Sequence, residues 1–539
     1  MAERGARSRL AARVVLSGAL VALVGWPLAR LLAEGLGSGP AALAAAVGQG
    51  GALAIANSAW TSLLVTVLAV LLGLGGALLT TRWSFPGRRV LAIGVLAPLL
   101  VPDFVSAISW TRAYGPAGLS QRILGVELPG LYGPAGIVLV LGAGAVPLAY
   151  LVTLAGLRVR AEPDLERAAR ASGASAWEAF TSVTLPLLWP VLGAAGALVF
   201  VISMNAFGVP AVLGRPAGFT TMTTRIYQDL AFSASDAAFL RVIGLAAVLL
   251  VVAVSMVALA DRLAPDAVAR ASTGPGPAAA RRPAPIWMPI LAWAFVVTTV
   301  AIPMLALLLT AITRGVGLDP VPPNLTLANF GRVLDRHAVG ALANTLILAS
   351  MASLGSVALA GLALAATRGR WRVRVGSLVT VSFALPGSVL AIAVPLAYGA
   401  SLRDTLAIIA IAYLAKLWAL GHRPLAAVLD RLPPDLTRAA RVHGADWWTA
   451  LRTVTLPVLV PALAAAALLV FVFALHEVTI SILLYGPSTA TLAVVVLNLQ
   501  QLGDPTLTAA LAVLLTLLVA GIGIVLGLVG RRGSWIGAS

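Results

Sequence analysis

The chain has 539 residues, 60% of them hydrophobic and 11% charged, with a formal net charge of +17. Soluble domains carry roughly 25% charged residues, so an ordinary soluble fold is excluded. The mean hydropathy of +0.98 and repeated apolar runs of about 18 or more residues predict helices that cross a bilayer, with backbone polar groups satisfied inside each helix.

The apolar runs are continuous rather than alternating, which argues against a β-barrel. The fold class expected is an all-α polytopic membrane protein. The Arg residues cluster in short segments between apolar stretches, as the positive-inside rule requires. That placement accounts for the charge without nucleic-acid binding. Cysteine is absent and only four His occur, with no His-x-x-x-His pair. Disulfides, thiol chemistry and a built-in metal site are therefore not expected.

In chain order, a basic N-terminus (Arg4, Arg7, Arg9, Arg13) precedes an apolar stretch from Val14 to Ala33. This reads as a retained first span rather than a signal peptide, because it is long and Pro27 and Arg30 interrupt a cleavage region. Further spans are predicted at Ser58–Thr80, Val90–Trp110, Ala135–Leu157, Pro186–Leu213 and Ala237–Ala260. Residues 262–285 are rich in Pro, Gly, Ala and Arg and read as a linker. The pattern restarts with Ile286–Thr313, Ala341–Ala366, Val375–Tyr398, Thr405–Leu420, Pro457–Tyr485 and Thr506–Val529. The count is about twelve spans, as two halves, 1–261 and 286–539. Threading them in order puts the Arg-rich segments on one side, read as the cytoplasm, together with both termini.

One segment occurs twice. Asp164–Pro190 and Asp435–Pro461 are identical at more than half their positions, without a gap. Both lie on the Arg-rich side, and in each a Leu-Pro pair, Leu185-Pro186 or Leu456-Pro457, is expected to open the next span. Asp164 and Asp435 suit an N-cap, and Gly173 and Gly444 suit a left-handed stop. Between them a short helix is predicted, carrying Ala168-Ala169 or Ala439-Ala440 and the pairs Arg167/Arg170 or Arg438/Arg441 at i, i+3 spacing. Small side chains allow close approach, and the guanidinium groups can reach carboxylates on a partner. Beyond Ala174 an amphipathic stretch with Trp177, or Trp447-Trp448, is expected along the membrane surface. The duplication also pairs Asn57-Ser58 with Asn344-Thr345, Pro102 with Pro386, and Tyr114-Gly115 with Tyr398-Gly399. Both repeats hold an even number of spans, so they are expected to be parallel.

At these residues the chain resembles the inner-membrane permeases of binding-protein-dependent ABC importers. Their signature is Glu-Ala-Ala, three residues, Gly, nine residues, Ile-x-Leu-Pro. It is met here by Ala168, Ala169, Gly173, Val183, Leu185 and Pro186, and again by Ala439, Ala440, Gly444, Val454, Leu456 and Pro457. The chain departs at the Glu position, which is Arg167 and Arg438; Glu166 stands one place earlier in the first copy only. The resemblance implies a type I importer permease fold with both halves fused, as in ferric-iron and thiamine permeases. It implies that each loop is a coupling helix docking on an ATP-hydrolysing subunit, two copies in all, with a solute-binding protein outside. Phe207–Gly214 with Thr220–Tyr227 looks most like the ferric-iron group.

Ionisable groups in apolar spans are costly and mark function or local pairing. His476-Glu477 falls late in the eleventh span, with Asn205 and Ala206 at the equivalent places in the first half. Asn205, His476 and Glu477 are candidates for the solute path; an interfacial or helix-pairing role is the competing reading. Asp103 and Arg112 in the third span read chiefly as local pairing. Lys416, the single lysine, is expected to snorkel from the inner end of the tenth span. No Gly-x-x-x-x-Gly-Lys-[Ser/Thr] sequence is present, and no enzymatic site or bound cofactor is expected. The function expected is transport powered by a separate ATPase. The alternative is a twelve-span secondary transporter, which usually carries buried carboxylates or His for ion coupling. Ferric iron is the first solute expected, ahead of thiamine, phosphonate and polyamine.

Overall fold

The computed structural model describes residues 2–48, 50–159, 163–263, 282–334, 336–366, 370–429, 439–440 and 442–535. Among these, ten helices are long and apolar enough to cross a membrane. Six of the predicted spans are continuous α-helices, over Gly51–Arg82, Pro134–Val159, Asp236–Leu263, Arg336–Ala366, Leu406–Leu429 and Pro505–Trp535. The predicted third and ninth spans are each broken. Arg88–Leu100 and Asp103–Leu124 meet at 107°, and Arg370–Ala384 gives way to Gly387–Leu402. The break falls at Pro102 and Pro386 because proline supplies no N–H to continue a helix and forces the preceding residue out of the helical region. The fifth and eleventh spans also stop earlier than expected. They end at Met204 and Leu475 instead of Leu213 and Tyr485.

Among the described residues, four of the five π turns lie within long helices: Val21–Gly25, Phe180–Thr184, Val297–Ala301 and Leu451–Thr455. Each lies two residues before a proline, namely Pro27, Pro186, Pro303 and Pro457. A proline inside a helix removes one hydrogen bond and crowds the carbonyl four residues back. Widening the turn relieves that clash, so the helix continues. The Leu-Pro pairs thus do not open spans five and eleven. Those helices begin earlier, at Ala176 and Trp447, and run through the proline.

The chain folds into two compact units that cut across the sequence halves. One comprises Met1–Gly37, Val339–Val494 and Leu517–Ser539, the other Ser38–Ala338 and Val495–Thr516. In the former, the first helix packs on spans of the second repeat. Leu16 and Leu20 share a core with Ala363, Val375, Val379, Trp418 and Ala419. In the latter, the helix Trp287–Ala311 packs on Asp103–Tyr114 of the first repeat. The repeated tyrosines secure both exchanges. The Tyr398 hydroxyl donates to Ala22 O at 2.6 Å, and the Tyr114 hydroxyl to Thr298 O at 2.5 Å. Ala22 and Thr298 stand five residues before Pro27 and Pro303. They are the carbonyls that a π-register N–H from those prolines would have bonded. Tyr114→Phe and Tyr398→Phe should each lower stability by about 1 kcal/mol through one lost hydrogen bond, read as a fall in the thermal unfolding midpoint in detergent. Unchanged midpoints in both variants would refute the role.

The paired Asn-Ser and Asn-Thr motifs also have a shared task. Asn57 Nδ2 donates to Thr220 O at 2.9 Å, and Ser58 Oγ accepts from Met222 N at 2.8 Å. Asn344 Nδ2 donates to Ala490 O at 3.0 Å, and Thr345 Oγ1 accepts from Leu492 N at 2.8 Å. Each pair caps the short helix that follows the break after span five or eleven, Met222–Phe232 and Leu492–Leu502. The free N–H groups of a helix start are thereby satisfied from another helix.

Candidate functional site

In the first repeated loop, Pro163–Ala171 forms a helix. Pro163 takes its first position, so Asp164 lies inside the first turn and not at the cap. Gly173 has φ +99°, in the left-handed region that favours glycine. Its N–H donates to Arg170 O at 3.1 Å, and Ala174 N–H donates to Ala169 O at 3.1 Å. This bond pair is the Schellman stop. The second loop repeats it: Gly444 has φ +84°, and Ala445 N–H donates to Ala440 O at 3.0 Å. Ala439 and Ala440 are helical, while Asp435, Arg438 and Arg441 lie outside the described residues. Arg167, Ala168 and Arg170 are exposed and Ala169 is half-buried.

A fresh cap follows each stop. Ser175 Oγ accepts from Glu178 N at 3.2 Å while Glu178 Oε2 accepts from Ser175 N at 2.8 Å, which is a capping box. In the second loop Asp446 Oδ1 accepts from Thr449 N at 2.8 Å. The next helix carries Leu185 and Pro186, or Leu456 and Pro457, without interruption to Met204 or Leu475. Trp177 is therefore the start of a span, 71% exposed, and not part of a separate surface helix.

Hydrogen bonds from the Thr449 side chain and backbone hold the Asp446 carboxyl below the usual carboxylate range. A depressed carboxylate contributes stability that is present above its unfolded value of 3.8 and is lost as pH falls through the lower folded value. Amide exchange at Thr449 should therefore stay slow at neutral pH and lose its protection only below pH 3.8. Loss of protection already at about pH 6 would refute this.

The first helix is tied to the second span by a cluster that sequence reasoning missed. Arg82 Nη1 and Nη2 donate to Glu166 Oε1 and Oε2 at 3.2 and 2.7 Å. Thr184 Oγ1 also donates to Glu166 Oε2, at 3.0 Å. The Arg82 guanidinium stands 5.6 Å from the Phe180 ring centre. A two-pronged Arg–carboxylate pair fixes orientation as well as distance. Thr437 replaces Glu166 in the second copy, and that replacement was the one available signal.

Within the apolar layer the structure brings Glu477 and Lys416 together as an ion pair. Lys416 does not snorkel. Its helix runs Leu406–Leu429, nine residues beyond the predicted end, which places Lys416 near the middle. Glu477 is 8% exposed. Its Oε1 accepts from Ile480 N at 3.1 Å, capping Thr479–Leu484. The Tyr413 hydroxyl donates to Glu477 O at 2.9 Å and lies 2.7 Å from Ser481 Oγ. A Cβ at Gly387 would sit 3.1 Å from Lys416 Nζ and 3.3 Å from Ile480 Cγ1, so a side chain there would press on both. Asp103 occupies the corresponding place in the first half. His476 Nδ1 and the equivalent Asn205 Oδ1 are both buried with no hydrogen-bond partner among the described residues.

A second buried charge group was not foreseen. Asp229 accepts from Arg241 at 2.7 Å on both oxygens and from Arg225 at 3.2 Å. Asp229 and Arg241 are 6% and 5% exposed. The equivalents in the second half are Val495, Leu499 and Leu511. Arg112 Nη2 lies 3.4 Å from Gln500 Oε1, and Arg112 Nε is buried without a partner among the described residues.

Two copies of one helical permease fold, each with a loop closed at the same left-handed glycine, define the class of a fused transport permease. The chain belongs to the family of binding-protein-dependent transport system inner membrane components, matched over residues 69–268 and 356–532. It is a multi-pass inner-membrane permease subunit of an ABC importer. It is 25% identical to a probable ABC transporter permease protein, y4fN, of Sinorhizobium fredii, over 87% of this chain and 85% of that protein. It is 26% identical to the Fe(3+)-transport system permease protein FbpB 2 of Haemophilus influenzae, over 82% and 83%. It is 31% identical to a probable molybdenum ABC transporter permease protein of Haloferax volcanii, over 42% and 81%.

Proposed function

We propose that this chain forms the whole membrane pathway of an ATP-driven importer and that ferric iron is its cargo. What supports the reading is the exposed loop helix Pro163–Ala171 closed at Gly173, together with the same left-handed stop at Gly444 in the second loop. Each docks on one of two ATPase subunits, which lie on the cytoplasmic side with both termini. Asp164, Arg167, Ala168, Ala169, Gly173, Leu185 and Pro186 form one docking element. Asp435, Arg438, Ala439, Ala440, Gly444, Leu456 and Pro457 form the other. The chain has no nucleotide site, and a solute-binding protein delivers cargo from outside.

The Arg82–Glu166–Thr184 cluster gives the first docking helix a direct hold on spans two and five. Motion of the ATPases then shifts the equilibrium between inward- and outward-facing states. Asn205, His476 and Glu477 line the path, a role favoured by the unpartnered buried atoms of Asn205 and His476. Iron is favoured over thiamine, phosphonate and polyamine by the relatives named for ferric transport. A secondary transporter would need ion-coupling carboxylates, whereas the buried carboxylates described here are held by their own cations.

The test deletes 164–173 and 435–444 and measures copurification of the cognate ATPase. The expected result is loss of association, with each single deletion weakening it. Undiminished association of the double deletion would overturn the docking role.

A further inference from the structure

Between Pro210 and Phe232 the chain lines a cavity of about 280 Å³ that Gln501 completes. It lies at the far end of span five from the repeated loop. Its wall holds one cation, Arg215, and no carboxylate. Thr224, Tyr227, Gln228 and Gln501 add hydrogen-bonding groups. Arg215 makes no ion pair among the described residues. The duplicate half does not preserve this wall. Gly486, Leu497, Asn498 and Leu502 stand where Arg215, Tyr227, Gln228 and Phe232 stand here. The second half keeps an amide at Asn498 but has no cation at Gly486 and no hydroxyl at Leu497, so the charged part of this wall is particular to the first half.

The charge around the cavity points the same way. The two buried carboxylates among the described residues, Asp229 and Glu477, are bound by Arg225 and Arg241 and by Lys416. Asp103 is engaged as well. A bare trivalent cation requires several free oxygen anions, and this wall offers it a guanidinium instead. Guanidinium forks suit carboxylate and phosphate groups.

We infer that this cavity is a binding site for a small solute bearing a carboxylate or phosphate group, seated on Arg215 with the Gln228 and Gln501 amides. The inference deepens the transport reading and rests on it for its physiological meaning. Iron would then pass as an anionic oxygen chelate and not as the bare ion.

The experiment uses the full-length chain in lipid nanodiscs, with radiolabelled citrate and radiolabelled inorganic phosphate as anion probes. Terbium(III) luminescence, sensitised by nearby tyrosine, reports a hard trivalent cation. The expected result is saturable binding of at least one anion. Arg215→Glu should weaken it about tenfold or more, Arg215→Lys should retain most of it, and Gln228→Ala should weaken it severalfold. Terbium(III) should give no saturable signal. Four results would overturn the site: no saturable anion binding, equal binding in Arg215→Glu, a saturable terbium signal lost in Tyr227→Phe, or a phospholipid on the wild type that Arg215→Glu releases in native mass spectra. The last would make the occupant a lipid headgroup. Monodispersity on size exclusion and ATPase copurification are read on the same preparations. Copurification without anion binding sinks this site and leaves the transport reading intact. Anion binding that needs Arg215, without copurification, does the reverse.

Discussion

Asp229→Ala should destabilise the protein by about 3–5 kcal/mol, because it strands the buried Arg241 guanidinium without its partner. That guanidinium is bonded to both Asp229 oxygens. The second half supplies the control. There the three positions are Val495, Leu499 and Leu511, in the same short helix and following span. The triple change Arg225→Val, Asp229→Leu and Arg241→Leu should therefore recover most of the loss. Removing a buried pair entirely is often close to neutral, whereas removing one partner is not. Thermal unfolding and yield of the detergent-solubilised protein would measure both. A triple variant as unstable as Asp229→Ala would show that the charges do more than neutralise one another.

The second large effect is expected at Glu477. Glu477→Ala removes the partner of Lys416 and the cap of Thr479–Leu484 at once. A cost of about 3 kcal/mol or more follows from the uncompensated ammonium, with the lost cap adding about 1 kcal/mol. Glu477→Gln keeps a cap acceptor and the shape, so its stability loss should be smaller. Transport separates structure from function here. If Glu477 lines the path, Glu477→Gln should lower uptake more than it lowers stability. Full uptake by Glu477→Gln would remove the residue from the path and leave it a structural role.

Much of the loop machinery was legible from spacing alone. Gly173 and Gly444 were assigned as helix stops because only a left-handed position asks for glycine at that place in two copies. The polar character of Asn205 and of His476-Glu477 was visible as an interruption of apolar sequence. Lys416 was misjudged because its helix end was set at Leu420, although the chain continues through Pro424 to Leu429. The spans at Val90–Trp110 and Val375–Tyr398 were read as continuous because hydropathy does not register a turn of the chain. The prolines at 102 and 386 did register it, and their match between halves was the signal to use.

Composition and periodicity settled the membrane class, the two-fold repeat and the glycine stops of the two loops. Each depends on residues within a few turns of one another, where backbone geometry and hydropathy act locally. Pairing did not follow from such rules. Tyr398 and Ala22 are 376 positions apart, and Arg82 and Glu166 are 84 apart. A hydroxyl or a charge in an apolar layer is tolerable only against a partner, and the partner is chosen by which helices pack together. That packing exchanges the first helix of each repeat onto the other repeat's spans. Only folding brings a proline-freed carbonyl in one repeat to the tyrosine of the other.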